Sequence, residues 1–240
     1  MTDRSNRDGN GVAIAHERLR LSILTGQLRG GEVLSQARLS EIVDAGRTPL
    51  REALRMLQHE GLVVSDPKRR IRIAELSAID VEELYIARIA LETTAIQVTV
   101  PQLGSEEIAQ LEGWMTQMDH FADDRDLDRL EIPHRKFHSG LIDAGGQRVV
   151  QLANQLSDHA ERYRRVHGTL HPATWDQRRS EHRAILDAAK ANDADAATLA
   201  LVNHYSRTAF EVIGDLDPDH DATRLRSAID AELGSRPGVA

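Results

Sequence analysis

Residues 46–54 have the sequence Gly46-Arg47-Thr48-Pro49-Leu50-Arg51-Glu52-Ala53-Leu54, which predicts the start of an amphipathic α-helix. Thr48 is a suitable N-cap, and Pro49 suits the first helical position, where its missing N–H costs nothing and its φ is already helical. We expect the helix to end near His59, because Gly61 is the residue type that closes a last turn in the left-handed conformation. The apolar stripe predicted to pack consists of Leu50, Ala53, Leu54 and Leu57.

A basic flank runs beside this stripe. Arg47, Arg51 and Arg55 recur every four residues, so their side chains project from one side of the helix. Basic residues at this spacing often form only a solvated flank. That interpretation is the alternative to a surface that faces DNA.

The segments on either side of the helix favour the DNA-facing interpretation. A short helix is predicted over 36–43, and a brief turn over 44–46 joins it to the basic helix. Two β-rich runs over 62–64 and 71–73 then flank a basic turn over 65–70. A helix whose N-terminal residues enter the major groove, with a basic loop along the phosphate backbone, is the winged helix-turn-helix arrangement. The candidate DNA-contacting residues are Arg38, Arg47, Thr48, Arg51, Arg55, Lys68, Arg69 and Arg70.

Further motifs accompany the 47–54 stretch: Ile23-Leu24-x-Gly26, then Gly30-Gly31-Glu32-x-Leu34, and after the helix Glu60-Gly61-Leu62. With them, residues 16–75 resemble the DNA-binding domain of the GntR superfamily. The resemblance implies a homodimer that binds double-stranded operator DNA. Gly46 stands where that family usually has Ser or Thr, so a hydroxyl that can contact phosphate is missing. Arg70 stands where the family usually has a Gly, so it changes the turn of the wing or adds a cation there.

The composition limits the class of protein. With 240 residues, of which 40% are hydrophobic, the chain can form one large or two ordinary domains. It has no Cys, which excludes disulfides and thiolate metal sites. We find no signal peptide and no apolar run of membrane length, and we therefore expect a cytoplasmic protein with no membrane partner.

The net charge of −8 is unevenly distributed. Residues 1–75 hold 13 Lys and Arg against 10 Asp and Glu, which leaves 17 and 28 for the rest of the chain. The segment that carries the DNA-binding motif is therefore cationic, whereas the remainder is strongly acidic. Binding of phosphate by one end only should weaken steeply with salt.

We predict a mainly α protein in which a winged helix-turn-helix domain, a small α/β unit, precedes an all-α antiparallel helical bundle. The boundaries are a mobile leader over 1–12, the DNA-binding domain over 13–75, the helical domain over 78–214, and an acidic tail over 215–240. In that tail we expect a solvated linker and a short helix near 222–233. The bundle helices are predicted over 78–99, 105–122, 126–144, 147–168, 174–191 and 193–213.

Four of the 11 His residues are spaced as a metal site in a bundle requires. His134 and His138 are four residues apart and project from one face of their helix, while His182 and His204 lie on two later helices. Imidazoles suit zinc, nickel, copper or iron. The alternative is a pair of partly exposed helix residues at 134 and 138. Five other His are expected at the surface: His120, His159, His167, His171 and His220.

A second resemblance covers residues 83–212. The motifs Tyr85-x-x-Arg88-x-x-Leu91-Glu92, Phe137-His138 and Glu181-His182-x-x-Ile185-Leu186-x-Ala188, followed by His204, resemble the FCD-type effector domain of the FadR subfamily. In that family an Asp and three His hold a divalent metal, and His134 stands at the Asp position. The substitution keeps a ligand atom but removes a negative charge, and an all-imidazole set favours zinc or nickel over manganese. The resemblance thus implies His134, His138, His182 and His204 as metal ligands.

Arg88 is the candidate residue for an anionic effector, because a guanidinium can bind a carboxylate through two hydrogen bonds. The alternative is that Arg88 pairs with Glu92, which lies four residues further along the same helix. Together these features predict a metabolite-responsive transcriptional regulator, expected to be a repressor, with a small carboxylate as effector.

Two other functions compete with this prediction. One is a DNA-binding protein whose metal is purely structural. The other is a metal-dependent hydrolase, since three or four His with an open position can activate water. The segment from His134 to His138 lacks the Glu of a His-Glu-x-x-His protease, and the chain has no nucleophile arrangement, so we expect no enzyme activity.

Overall fold

The computed structural model describes residues 3–66, 70–171 and 174–234, and the chain divides into two compact units, residues 1–76 and 77–240. In the first unit, helices surround a small antiparallel sheet with the strand order β1-β3-β2. Its elements are α1 (Asp3–Leu24), β1 (Val33–Ser35), α2 (Gln36–Val43), α3 (Arg47–His59), β2 (Val63–Asp66) and β3 (Arg70–Ile73).

The core of this unit forms where α3 packs against α1 and α2. Leu19 and Ile23 of α1 and Leu39 of α2 are buried there. The predicted stripe is confirmed, because Leu50, Ala53, Leu54 and Leu57 are all buried. Burial of this stripe fixes the rotation of α3 about its axis and leaves its basic flank outside.

The start of α3 differs from the prediction. Gly46, not Thr48, is the N-cap residue, with φ −66° and ψ 166°, and its carbonyl accepts the first helical bond from Leu50 N–H at 3.0 Å. Pro49 is therefore the third helical residue. It is tolerated there because the first N–H groups of a helix have no intrahelical acceptor.

The end of α3 is as predicted. Gly61 has φ +75°, in the left-handed region that favours glycine. Its N–H donates to Gln58 C=O at 3.1 Å, and Leu62 N–H donates to Leu57 C=O at 2.9 Å. This pair of bonds is a Schellman motif, which turns the chain directly into β2.

The wing is formed by β2 and β3. Both predicted β-rich runs are strands, but Arg70 is the first residue of β3, opposite Asp66 and Ser35, and not part of the turn as predicted. Because Arg70 pairs with one residue of β1 and one of β2, it belongs to the sheet. The candidate wing cations Lys68 and Arg69 lie outside the described residues.

Residues 3–12, which the sequence predicts to be a mobile leader, belong to helix α1, which begins at Asp3. No proline interrupts residues 3–24. Extending an existing helix costs far less than starting one, so the packed segment of α1 can propagate toward the N-terminus.

In its described residues, the second unit is helical. Most predicted bounds agree with the structure, but the helix predicted over 126–144 ends four residues early, at Gly140, and the chain forms a 3-10 turn over Asp143–Gly145. None of the described helices is both long and apolar enough to cross a membrane. The helices are α4 (Ala78–Thr99), α5 (Ser105–Asp123), α6 (Leu127–Gly140), α7 (Gln147–Leu170), α8 (Trp175–Lys190), α9 (Ala194–Leu216) and α10 (Thr223–Gly234).

The short helix predicted near 222–233 is present as α10, and residues 217–219 of the linker before it are exposed, as expected. The helix itself packs against the bundle. Helix α9 continues to Leu216, and α10 lies against α4. The fully buried Glu82 of α4 accepts a bond from Leu225 N–H at 3.1 Å and one from Arg224 Nη2 at 2.8 Å. Burial of Leu225 beside this ion pair holds the helix in place.

Candidate DNA-binding surface and four-histidine centre

The basic flank of α3 is exposed. The Arg51 and Arg55 side chains are 61% and 66% accessible, and both contact Glu52, at 3.4 Å and 3.2 Å. Ion pairs this exposed contribute little to stability, so both guanidinium groups can exchange their carboxylate for phosphate or base at small cost. Arg38, Arg47, Thr48 and Arg70 are exposed as well.

Three helices of the second unit bring the four predicted His ligands together. His134 and His138 come from successive turns of α6, His182 from α8 and His204 from α9. One nitrogen from each lies within 4.8 Å of all the others, and all four side chains are buried. The Nε2 atoms of His138 and His182 are 3.2 Å apart, close to the ~3.3 Å edge of a tetrahedron with metal–nitrogen bonds of 2.0–2.1 Å.

The Nδ1 atoms of three of these imidazoles face polar neighbours. His204 Nδ1 is 2.8 Å from Glu181 Oε2, His138 Nδ1 is 3.2 Å from Tyr205 Oη, and His134 Nδ1 is 3.5 Å from Glu131 Oε1. These contacts leave Nε2 as the nitrogen free for a ligand role. Hydrogen bonding at the far nitrogen is the usual way in which proteins orient metal-binding His, and the donor set fits a divalent metal ion.

Burial sets the charge of the centre. It lowers the pKa of His138, His182 and His204 below the usual value for imidazole. It also lowers the pKa of His134 to about 4, although the Glu131 carboxylate acts in the opposite direction. The four side chains are therefore neutral near pH 7, which is the form that binds metal.

Arg88 does not face an open pocket. Its guanidinium is 1% exposed and donates to Glu92 at 2.9 Å and to Tyr205 Oη at 2.5 Å. The alternative pairing with Glu92 is therefore present, although it is buried instead of lying on the surface. Tyr205 Oη also contacts His138 Nδ1, so Arg88 is linked to the four-His centre through Tyr205.

Sequence reasoning missed the basic side chains that line the open side of the centre. A small cavity beside His134, His182 and His204 is lined by Arg164, Trp175 and Arg178. Buried donors there have no hydrogen-bond partner among the described residues: Nε and Nη1 of Arg164, Nε and Nη2 of Arg178, and Nε1 of Trp175. Burial and the nearby Arg207 lower the pKa of Arg178, while Glu211 acts in the opposite direction. Nothing in the sequence distinguishes Arg178 from its neighbour Arg179, which is ion-paired at the edge of the bundle.

The expectation that the five other His lie at the surface is wrong for His167. Its side chain is 4% exposed and contacts Glu211 and Asp215 of α9. These carboxylates are distant in sequence, so the helical pattern of α7 alone could not predict the burial.

A basic surface helix beside a small sheet with a two-stranded wing, followed by a helical domain with four clustered, buried His, is the arrangement of a DNA-binding regulator. The family described as "Bacterial regulatory proteins, gntR family" matches residues 13–73, and the FCD domain matches residues 83–207. The chain therefore belongs to the GntR family of transcription regulators and carries an FCD domain. Since that family consists of regulators, the hydrolase alternative is excluded.

Relatives align with most of the chain. YdhC of Bacillus subtilis, an uncharacterized HTH-type transcriptional regulator, is 29% identical over 197 residues, which cover 80% of this chain and 86% of YdhC. The HTH-type transcriptional repressor GlaR of Escherichia coli is 24% identical over 194 residues, which cover 78% of this chain and 88% of GlaR. The solved structure of E. coli McbR/YncC has a TM-score of 0.76 at 18% identity and covers 85% of this chain and 98% of that one. At that identity the likeness concerns the fold alone.

Proposed function

We propose that this regulator is a FadR-type repressor of the cytoplasm that binds operator DNA as a homodimer and releases it in response to a small carboxylate. One observation carries the effector assignment. The four-His centre opens toward buried guanidinium and indole donors that have no partner among the described residues. Arg164 is ion-paired with Glu131 through Nη2, but its other two donors and those of Arg178 lack partners among the described residues. Such buried donors are costly, and an anionic ligand offsets that cost.

In the DNA-binding unit, Arg47, Thr48, Arg51 and Arg55 of α3 are assigned to the major groove and its flanking phosphates. Arg38, Arg70 and the wing residues Lys68 and Arg69 are assigned to the phosphate backbone. The exposure of the Arg flank, opposite a buried apolar stripe, supports this division. Phosphate contacts position the helix, and contacts with base edges select the sequence.

In the helical unit, His134, His138, His182 and His204 are assigned to a divalent metal, zinc or nickel. Such an ion supplies a Lewis-acid centre to which a carboxylate oxygen can bind. The chain itself orients the imidazoles through Glu131, Glu181 and Tyr205, and holds the effector anion through Arg164 and Arg178. Arg88, which we considered as the effector residue, then acts through Tyr205 on His138 as a positioning residue.

A pair of adjacent arginines tests the effector site. Arg178→Gln removes a buried charge at the cavity, whereas Arg179→Gln removes a charge from the edge of the same helix. Titration calorimetry of the metal-loaded protein against small mono-, di- and hydroxycarboxylates should show binding to the wild type and to R179Q. Binding to R178Q should be about 10- to 100-fold weaker, as expected for a charge-assisted hydrogen bond. Equal affinities of R178Q and the wild type would reject the site.

The remaining alternative is a metal that is purely structural. Removing the metal with a chelator distinguishes a structural metal from one that takes part in effector sensing. For an effector-sensing metal, the chelated protein still binds operator DNA, but carboxylates no longer release it. For a structural metal, chelation lowers the melting temperature of the bundle, while the wild-type protein shows no carboxylate-dependent DNA release at all.

A further inference from the structure

A second group of ligand-type side chains lies where α7 and α9 meet. His167 and His171 are four residues apart on α7, and Glu211 and Asp215 are four residues apart on α9, so each pair projects from one face of its helix. His167 Nδ1 is 2.6 Å from Asp215 Oδ2, and His171 Nε2 is 2.8 Å from Asp215 Oδ1. None of these residues belongs to the four-His centre.

We propose that His167, His171 and Asp215 form a second divalent-cation site in this protein. Ligand atoms from the three residues lie within 4.8 Å of one another. The proposal goes beyond the function assigned above, because it does not depend on the effector or on the first metal.

The donor set fits a borderline cation such as Zn²⁺. Two imidazoles and one carboxylate are a common set of three protein ligands for zinc, and they leave a fourth position for water. The carboxylate of Asp215 now bridges the two rings. A cation between these groups would replace two short hydrogen bonds by coordination with little movement of the side chains.

The contact of His167 with Glu211 supports a ligand role over a simple ion pair. His167 Nε2 is 3.1 Å from Glu211 Oε2, on the side of the ring opposite Asp215. Glu211 is held in turn by Arg207 Nη1 at 2.6 Å. A carboxylate that binds the far N–H of an imidazole fixes the ring orientation and makes the other nitrogen a better ligand.

The site is also accessible. The His167 side chain is buried, but those of His171 and Asp215 are 45% and 23% exposed, so an ion can enter from solvent without any rearrangement of the core. The partial exposure of two ligands makes them suitable for mutation.

Zinc stoichiometry tests the proposal. The full-length protein is stripped with a chelator, equilibrated with Zn²⁺ near neutral pH, freed of excess ion, and analysed for zinc content. We expect about two ions per chain in the wild type and about one in His171→Ala and in Asp215→Asn, because each lacks one of three protein ligands. His120→Ala is the matched control, since it removes an exposed His that also faces an acidic residue four positions further along its helix. It should retain both ions.

Three further variants make the outcome specific. His134→Ala with His138→Ala should lose the other ion and keep the one at α7 and α9, and adding Asp215→Asn to that variant should remove the remaining zinc. Glu211→Gln should weaken zinc binding at the second site about 10- to 100-fold in calorimetric titrations. Zinc content and affinity equal to the wild type in both H171A and D215N would overturn the proposal, because the cluster would then be an ion pair between two helices.

Discussion

Gly46 has the backbone conformation of a helix N-cap but lacks the side chain that completes the cap. No side chain at this position accepts a bond from the N–H groups of α3. A Cβ atom there would lie 3.8 Å from Pro49 Cδ, an ordinary contact, and φ is negative, so other residues fit without strain. The start of α3, the helix proposed to contact DNA, is therefore less stable than it can be.

Gly46→Ser should stabilise the first unit by a few tenths of a kcal/mol, because its hydroxyl can accept an N–H bond at the start of α3. The same hydroxyl should strengthen DNA binding by adding a phosphate contact. Urea unfolding and fluorescence anisotropy with labelled duplex DNA measure the two effects. Gly46→Ala is the control, since alanine is a poor N-cap residue, and a stabilisation by alanine equal to that by serine would contradict the capping argument.

Arg51→Ala should weaken binding to an operator selected from a random duplex library by about 1–3 kcal/mol and relax the base preference at one position. Lys68→Ala should weaken binding to all sequences similarly and lower the slope of log affinity against log salt by about 1, because it loses a phosphate contact only. Arg129→Ala, an exposed arginine of α6 paired with Asp126, is the control and should change neither. If R51A and K68A showed the same salt slope and the same base preference, the division of roles would be wrong.

Among the elements, those with a continuous apolar stripe were predictable and those that depend on distant partners were not. The stripe of α3 and the glycine that follows it defined the helix and its end from local information alone. In contrast, β1 has three residues and exists only because β3 pairs with it across 35 or more positions of sequence. The packing of α6 on α5 likewise depends on Gly140, which lies against Trp114 and Leu111 with no room for a side chain.

The candidate site shows the same division between local and distant information. The sequence placed His134 and His138 on one face of a helix, but their approach to His182 and His204 depends on how α6, α8 and α9 pack. The position of Arg178 beside the cavity was not predictable, since its lack of a partner among the described residues depends on how the helices pack. His167 was misjudged because its partners Glu211 and Asp215 come from another helix.

The interface of α6, α8 and α9 should make the metal-free protein sensitive to acid. The pKa of His134 is about 4 in the folded protein against an ordinary 6.5, so the unfolded chain takes up a proton first as the pH falls. The free energy of unfolding should therefore decrease between about pH 6.5 and pH 4, by an amount on the order of 3 kcal/mol from His134 alone. The lowered pKa values of His138, His182 and His204 act in the same direction.

Urea unfolding of the chelator-treated protein near pH 7 and near pH 5 measures this dependence. His134→Gln should reduce the difference between the two midpoints, because it removes one of the titrating groups. His120→Gln, which alters an exposed side chain, should retain the full difference. Equal midpoints at both pH values in the wild type would show that the buried imidazoles do not contribute.

At the scale of the whole molecule, the two units carry opposite net charges, which gives them different tendencies to approach DNA. The DNA-binding unit is cationic, and the helical unit carries the excess of acidic residues. Long-range attraction to phosphate therefore favours approach by the first unit, and repulsion discourages nonspecific contact by the second. Specific affinity then depends on how many DNA-binding units engage one duplex.

The proposed homodimer makes a geometric prediction about the operator. Two copies of α3 related by a two-fold axis bind half-sites on the same face of the duplex, separated by about one helical turn of 10–10.5 base pairs. Inserting about 5 base pairs between the half-sites turns one of them to the opposite face, so affinity should fall to that of a duplex with a single half-site. Inserting about 10 base pairs returns both half-sites to the same face but increases the distance between them. Affinity should then recover only if the two DNA-binding units of the dimer can separate enough to reach both half-sites. Gel-shift titrations of the three duplexes measure this series. A chain that bound as a monomer would give the same affinity for all of them, which is the result that would exclude the dimer.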